Sequence, residues 1–200
     1  MPDLNDTVVM GWDIADRMER AVAKVRDRLL RATAALNRAN LPYAVVGGNA
    51  VASWVATVDE GAVRNTRDVD LLIRRDDLER VTRALEEAGF VCAEVLDVVM
   101  FLDGPDAKPS ESIHVLFASE PVRPDHPLPS PDITTADDPA GFRVLTLESL
   151  VVMKLLSNRD KDRTHLRDFI GVGLIDATWL QRLPPVLAQR LKQILDTPEG

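Results

Sequence analysis

The chain has 200 residues, a formal net charge of −8, 46% hydrophobic residues and 28% charged residues. That length and composition are ordinary for a soluble globular protein with a hydrophobic core of its own. The acidic balance argues against a general nucleic-acid coat, because non-specific binding depends on many Lys and Arg contacts to phosphates. Cys92 is the single cysteine, which excludes an intrachain disulfide and a cysteine-based metal cluster.

The sequence shows no pattern of a membrane or exported protein. No uninterrupted apolar run approaches the roughly 20 residues of a membrane span. The first residues include several aspartates, where a leader peptide would have a basic patch. We therefore expect a cytoplasmic protein without a membrane partner.

The first 118 residues alternate between helical and strand patterns. Apolar residues at three- and four-residue spacing predict one long amphipathic helix at the start, and Asp76 is the expected N-cap of a later helix. The last three strands of this part are expected to form an antiparallel meander. The expected elements, in order, are helix 11–40, strand 43–46, helix 49–56, strand 67–73, helix 76–87 and strands 90–95, 97–103 and 112–118.

The second part of the chain begins with a proline-rich segment, residues 120–139, which we expect to be an extended loop without regular structure. Such a loop is either a lid or binding segment, or a solvated connection, and the sequence leaves both open. A short strand at 142–145 and four helices follow, with expected starts at Thr146, Arg159, Asp176 and Pro185. We expect residues 1–145 to form the core and residues 146–200 a helical region that packs on it.

Residues 45–73 contain the most informative motif of the chain. Gly47 and Gly48 follow a short apolar strand and precede a helix, and glycines at this place let backbone N–H groups approach an anion. Asp68 and Asp70 then begin an aliphatic strand. Because alternate strand residues share a face, the two carboxylates lie close together and repel unless a cation lies between them. A hard divalent ion such as Mg²⁺ meets that need.

Each half of this motif also has a plain structural interpretation. Two glycines serve any tight turn, and the third glycine of a dinucleotide fingerprint and the Lys-Ser/Thr of a P-loop are missing. The two aspartates alone are compatible with a solvated sheet edge or with ion pairs to nearby arginines. The arginines in question are Arg64, Arg67 and Arg74.

The order of these elements resembles the nucleotidyltransferase superfamily with the polymerase-β-like fold, and in particular the small bacterial proteins grouped with the AbiEii-type toxins. Members have a strand, a Gly-Gly or Gly-Ser turn and a helix before an Asp-x-Asp strand, as residues 45–50 and 66–73 do here. A later helical segment of the form Lys-x-x-x-x-Arg-x-Lys-Asp is also typical and is present here as Lys154, Arg159, Lys161 and Asp162. The resemblance implies an α+β fold with a mixed or antiparallel sheet, flanking helices and a C-terminal helical region.

The resemblance also implies roles for individual residues. Asp68 and Asp70 would hold Mg²⁺ or Mn²⁺ while a hydroxyl group attacks the α-phosphorus of a nucleoside triphosphate (NTP). Asp162 and Asp168 would either orient the nearby basic groups or take part directly. The residues implied in nucleotide binding are Gly47, Gly48, Asn49, Lys154, Arg159 and Lys161.

One position departs from the pattern of the superfamily. A third carboxylate commonly lies in the middle of a following strand, and the matching position here is His114. Histidine ligates Mn²⁺ or Zn²⁺, or acts as a base near neutral pH, but it is a poor ligand for Mg²⁺. Glu111 replaces the lost carboxylate only if a bulge shifts the strand register. The sequence leaves three roles open for His114: a residue that lines the site, a general base, or a structural residue.

Three functions are compatible with these residues. The first is a nucleotidyltransferase that moves a nucleoside monophosphate from an NTP to a hydroxyl acceptor, which would be an RNA end, a protein side chain or a small molecule. The second is a descendant of the same fold that binds a nucleotide or a partner but has lost transfer through His114. The third is a metal-dependent hydrolase that uses Asp68, Asp70 and His114. Relatives in toxin–antitoxin pairs imply an antitoxin as a further partner.

Overall fold

The structure is a computed structural model that describes the backbone of residues 4–96 and 98–197, and the side chains from residue 13 onward in those ranges, Ser110 excepted. Asp97, expected at the start of a strand, lies outside the described residues. The helices are α1 (Leu4–Arg38), α2 (Gly47–Ala56), α3 (Leu78–Glu87), α4 (Leu147–Ser157), α5 (Asp160–Gly171) and α6 (Pro185–Asp196). The strands are β1 (Ala44–Val46), β2 (Val69–Ile73), β3 (Val91–Val95), β4 (Val98–Leu102), β5 (Ser112–Phe117), β6 (Thr135–Asp137) and β7 (Arg143–Leu145).

Seven strands form one mixed sheet in the order β3-β4-β5-β2-β1-β7-β6. β1 pairs antiparallel with β2, and β2 pairs parallel with β5. The meander β3-β4-β5 is antiparallel, as the alternating pattern predicts. The predicted α+β class, with a mixed sheet and flanking helices, is confirmed. No helix in the described part of the chain is both long and apolar enough to cross a membrane.

One face of the sheet packs against α1 and α3. The apolar stripes of these helices, including Leu36 of α1 and Leu85 of α3, are fully buried against it. Alternate strand residues supply the sheet side of this first core: Val45, Val69, Leu71, Ile73, Ile113 and Val115. The odd-numbered residues of β2 and β5 are therefore committed to this core, which turns the even-numbered residues, including Asp70 and His114, to the opposite face.

The opposite face of the sheet packs against α2 and the three C-terminal helices. Ala44, Val46 and Leu72 of the sheet are buried together with residues of all four helices, such as Phe169 of α5. Because these helices and these strands share one cluster of apolar side chains, the C-terminal region packs directly on the sheet. This second core leaves a cleft between the sheet, α4 and α5.

Three local expectations are wrong. Asp76 is not an N-cap, because a 3-10 turn at Arg75–Asp77 comes first and α3 starts at Leu78 without a side-chain cap bond. The segment expected to be irregular contains β6, whose hydrogen bonds come from pairing with β7, and three residues are too few to show a period. The helix expected from Asp176 is a 3-10 helix, Ala177–Gln181, since two prolines follow closely and leave room for little more than one turn.

Candidate active site

Two strand pairings bring one row of three side chains together. β1 places Val46 opposite Asp70 of β2, and β2 places Asp70 opposite His114 of β5. Directly paired residues point to the same face of a sheet, so these three side chains lie side by side. Asp70 is thus flanked on one side by the end of β1, where α2 begins, and on the other by His114.

Gly47 and Gly48 are required by close packing at the start of α2. Gly47 has φ +67°, and a Cβ atom there would lie 1.9 Å from Oδ2 of Asp70. A Cβ atom on Gly48 would lie 2.6 Å from Oγ1 of Thr66. The two glycines therefore let the N-terminus of α2, with its free N–H groups and positive dipole end, reach the carboxylate of Asp70 and the cleft.

Asp68 lies just before β2 and is held through its backbone. Nδ2 of Asn49 donates to the carbonyl oxygen of Asp68 over 2.7 Å, and the backbone N–H of Asp68 donates to Oγ1 of Thr66 over 3.3 Å. Its carboxylate is 45% exposed, and Oδ2 lies 3.8 Å from Nζ of Lys161 on α5. The side chain of Asn49 is therefore engaged in positioning Asp68, while the carboxylate of Asp68 faces the cleft.

His114 lies between an acid and a hydroxyl group. Its Nδ1 is 3.6 Å from Oδ1 of Asp70, and its Nε2 is 3.3 Å from Oγ of Ser112. Ser112 donates its own hydroxyl proton to the carbonyl oxygen of Pro109, so its oxygen is free to accept from Nε2–H. The neighbouring carboxylate of Asp70 raises the pKa of His114 above its ordinary value, against the opposing effect of burial. Glu111 lies in the turn before β5 and lines a separate surface groove.

A buried ion-pair cluster joins α4 to α5 beside the cleft. Nζ of Lys154 lies 3.1 Å from Oδ1 of Asp162, and Nε of Arg159 lies 2.8 Å from Oδ2 of the same carboxylate. Burial would raise the pKa of Asp162, but the hydrogen bond from Arg159 and the charge of Lys154 outweigh it and lower the pKa to about 2. Burial lowers the pKa of Lys154, and Asp162 opposes that effect. Asp162 therefore orients the two basic groups.

Some contacts in the cleft have no signal in the sequence. Arg64 makes two hydrogen bonds of 3.0 Å to the carboxylate of Asp168, which leaves Asp68 and Asp70 without this arginine. His165 also lines the cleft, and burial lowers its pKa to about 4. Its Nδ1 has no hydrogen-bond partner among the described residues. These residues are far apart in sequence, so no local pattern predicts that they meet.

The proline-rich segment forms one wall of the cleft. Two arginines hold its ends: Arg75 binds Glu120 through hydrogen bonds of 2.8 and 2.6 Å, and Arg74 binds Asp132 through hydrogen bonds of 3.1 and 3.0 Å. Between these anchors, residues of the segment including His126 line a cleft of about 670 Å³. Part of the segment thus lines the cleft, while residues 121–125 are exposed to solvent.

The donor set of the cleft fits a magnesium ion that is shared with a substrate. Among the described residues, no group of three or more His, Cys, Asp and Glu side chains is arranged to hold a metal. Asp68 and Asp70 present two carboxylates to the same cleft. Mg²⁺ is commonly bound by one or two carboxylates together with substrate phosphates and water. The missing Cβ of Gly47 leaves room for Oδ2 of Asp70 at this place.

The seven-stranded mixed sheet with its flanking helices is the polymerase-β-like fold of nucleotidyltransferases. Residues 9–132, more than half of the chain, match a protein family described as uncharacterised nucleotidyltransferases. The chain belongs to that family. No protein of curated function matches the chain.

Two solved structures are similar to the chain at low sequence identity. A crystal structure of ANT(2'')-Ia in complex with adenylyl-2''-tobramycin is 16% identical, with a TM-score of 0.50 over 85% of this chain and 95% of that chain. An antigenic nucleotidyltransferase-like protein from Paracoccidioides brasiliensis is 20% identical, with a TM-score of 0.49 over 88% of this chain and 87% of that chain. At 16% identity, the similarity to ANT(2'')-Ia is a similarity of fold.

Replacing Gly47 with Ala is expected to lower activity about 100-fold, because the new methyl group must displace the carboxylate of Asp70 and a misplacement of about 1 Å has an effect of that size. Gly89→Ala is the matched control, since Gly89 has φ +88° and a Cβ atom there would meet nothing within 4 Å. Both variants carry the same backbone strain of about 1–2 kcal/mol. Equal loss of activity in the two purified variants, measured as label transfer from an NTP, would show that backbone strain and not Asp70 is responsible.

Proposed function

We propose that the protein transfers a nucleoside monophosphate from an NTP to a hydroxyl acceptor. The observation that carries this proposal is the row of Asp70 and His114 next to the N-terminus of α2, in a cleft whose other wall holds Lys154 and Lys161. A helix N-terminus and lysines favour phosphate groups. The carboxylates of Asp68 and Asp70, which lie between the helix and the lysines, favour a divalent cation. The membership in a nucleotidyltransferase family agrees with this chemistry.

The nucleotide phosphates are assigned to the α2 side of the cleft. The backbone N–H groups of Gly47, Gly48 and Asn49 would bind the β- and γ-phosphates. Asn49 would contribute only its backbone, because its side chain is engaged with Asp68. Lys154, Arg159 and Lys161 would bind the triphosphate and stabilise the departing pyrophosphate. Asp162 supports this role by holding two of these cations in place.

Asp68 and Asp70 would hold a divalent ion, Mg²⁺ or Mn²⁺, together with the phosphates. When bound, such an ion neutralises charge on the phosphate oxygens. His114 lies on the side of Asp70 away from α2 and is the candidate to accept the proton of the acceptor hydroxyl in its neutral form. Donation from Nε2–H to Ser112 leaves Nδ1 of the neutral ring to take the proton, and the carboxylate of Asp70 beside Nδ1 would stabilise the charged ring that forms.

The finer assignments rest on the sequence motifs. We propose that the protein is an AbiEii-type nucleotidyltransferase of the cytoplasm, and the support is the Lys-x-x-x-x-Arg-x-Lys-Asp segment that ends at Asp162. This assignment includes an antitoxin as a partner. Residues 1–145 are proposed as the catalytic core and residues 146–200 as the helical region that completes the phosphate site.

The experiment is a transfer assay with the four NTPs, each labelled at the α-phosphate, with Mg²⁺ or Mn²⁺ and a panel of hydroxyl acceptors. We expect label transfer by the natural protein and a large loss in Asp68→Ala. Equal transfer by both proteins would overturn the assignment of the site.

The second candidate is a protein of the same fold that binds a nucleotide without transferring it. The specific observation in its favour is the histidine at position 114, where members of the superfamily commonly have a carboxylate. Calorimetric titration with a non-hydrolysable ATP analogue, with and without Mg²⁺, separates the two candidates from a protein that binds nothing. Binding without transfer, together with transfer by His114→Asp, would establish the second candidate.

A further inference from the structure

The row of Asp70 and His114 continues across two further strands. β5 places His114 opposite Met100 of β4, and β4 places Met100 opposite Ala93 of β3. Paired residues of neighbouring strands point to the same face and are spaced about 4.8 Å apart. The row of Asp70 and His114 therefore continues to the outer strands of the sheet, on the side of His114 away from α2.

This outer part of the sheet forms an apolar platform. The platform consists of Val91, Ala93, Val95, Val98, Met100 and Leu102. Its three valines are exposed, by 37% at Val91, 50% at Val95 and 43% at Val98, whereas Met100, which pairs with His114, is buried at 8% exposure. The alternate residues Cys92 and Phe101 point the other way, to the core under α1 and α3.

The turn between β3 and β4 extends the apolar surface. Leu96 is 92% exposed and has a φ of +51°. This left-handed conformation is unfavourable for leucine and is ordinarily filled by Gly, Asn or Asp. Neither local conformation nor burial in this chain accounts for a leucine here. Val98, which follows the turn, lines the cleft itself.

The chemistry of the platform favours an uncharged ligand. Residues 91–102 contain no Lys or Arg. Of their two acids, Glu94 pairs with Val99 and so points away from the platform, and Asp97 lies outside the described residues. The aromatic residue of this stretch, Phe101, is buried in the first core. A nucleic acid needs cationic and stacking groups, and a polycation needs carboxylates. The platform offers neither.

The size of the platform favours a small molecule. It is two strands wide and five residues long, or about 10 Å by 13 Å. The resulting area of roughly 130 Å² is far below the ~800 Å² per partner of a stable protein interface.

We propose that the apolar platform is the acceptor subsite and that the acceptor is an uncharged alcohol with an apolar body. This inference rests on the proposed function. The nucleotide lies on the α2 side of Asp70, and the body of the acceptor lies on β4 and β3 with its hydroxyl group at His114. The acceptor oxygen forms a bond to the α-phosphorus, the bond to the pyrophosphate oxygen breaks, and the hydroxyl proton passes to His114 and then to solvent. The products are the nucleotidylated alcohol, pyrophosphate and one proton.

Binding to the platform is tested without turnover. Protein with ¹³C-labelled valine and methionine methyl groups is titrated with 2-phenylethanol, and we expect chemical-shift changes at Val95, Val98 and Met100. Val186 of α6, which is 39% exposed and lies outside both the platform and the cleft, is expected to stay unchanged. Shift changes that miss the platform would overturn the inference.

Transfer is tested with primary alcohols from 1-propanol to 1-octanol and labelled NTPs. Each methylene group that the platform covers is expected to raise kcat/KM about fourfold. Val98→Glu is expected to lower kcat/KM for 1-octanol at least ~10-fold, whereas Val186→Glu matches the natural protein. Equal effects of the two variants, or transfer to tobramycin or tRNA without any dependence on alcohol length, would overturn the inference. If calorimetry shows NTP binding but the alcohol leaves the chemical shifts of the platform methyl groups unchanged, this inference alone is refuted. If no NTP binds, the proposed function is refuted.

Discussion

Asp70→Asn is expected to lower nucleotidyl transfer about 1000-fold with little change in thermal stability. The change removes a charge that faces both the N-terminus of α2 and His114. Neutralising charge on a transferring phosphoryl group is worth several kcal/mol, and each 1.4 kcal/mol corresponds to a tenfold change in rate. The asparagine keeps the size of the side chain, so the close packing against Gly47 is preserved. The measurement is the initial rate of label transfer from an α-labelled NTP at saturating Mg²⁺.

The matched control is Asp196→Asn. Asp196 is an exposed carboxylate, 59% accessible, that pairs with Lys192 on the last helix and lies outside the cleft. We expect this variant to keep the natural rate. If Asp70→Asn also keeps that rate, Asp70 holds neither the metal nor the phosphates.

Asp162→Ala is expected to lower the free energy of unfolding by about 3–5 kcal/mol, because it leaves Lys154 as a buried charge without its partner. For a chain of this size that corresponds to a fall in Tm of roughly 6–20 °C. Asp160→Ala is the control two residues away. Asp160 is 93% exposed and pairs only with Arg163 on the surface, so its loss is expected to change Tm by no more than about 2 °C. Similar Tm values for the two variants in scanning calorimetry would contradict the role of the buried cluster.

The effect of Asp162 is also expected to depend on pH. The folded pKa of Asp162 is lowered from 3.8 to about 2. A lowered folded pKa means that the unfolded chain takes up the proton first, so the stabilisation is complete above pH 3.8 and is lost as the pH falls toward 2. The gap in stability between the natural protein and Asp162→Ala should therefore narrow by about 2 kcal/mol over that window. Denaturant titrations at pH 7, 4 and 2.5 measure this difference in the free energy of unfolding. A difference that stays constant with pH would mean that Asp162 is not a strongly paired carboxylate.

Local patterns predicted most of the secondary structure. The spacing in α1 and α3, the aliphatic runs of β2 and β5 and the two glycines at the start of α2 all depend on neighbours in sequence, and each is present close to its expected place. The failures were local as well. A cap at Asp76 and an irregular stretch at residues 135–137 were decided by a 3-10 turn and by strand pairing, which short windows do not show.

The site followed the same division. Asp68 and Asp70 were identified from the sequence because a strand with a buried face rarely carries two charges. The residues that surround them were not predicted from the sequence, because ion pairs join residues from distant segments. Lys161 faces Asp68, while Arg64, a sequence neighbour of the two aspartates, pairs with Asp168 instead. The third position of the row depends on the parallel register of β2 and β5, which sets His114 and not Glu111 beside Asp70.

The sequence by itself determined the glycine turn, the paired aspartates and the basic segment around Lys154, since each is a short-range pattern. The resemblance carried by the order of these elements implied the class of fold. Only the tertiary structure decided that His114 completes the row, that Asp162 is the buried partner of Lys154, and that the three valines of the platform on β3 and β4 are exposed. Alternation assigns each side chain to one face of its own strand. Whether that face becomes core or remains open to a ligand depends on which helices pack over it, and α2, α4, α5 and α6 cover the inner strands while leaving the outer ones free.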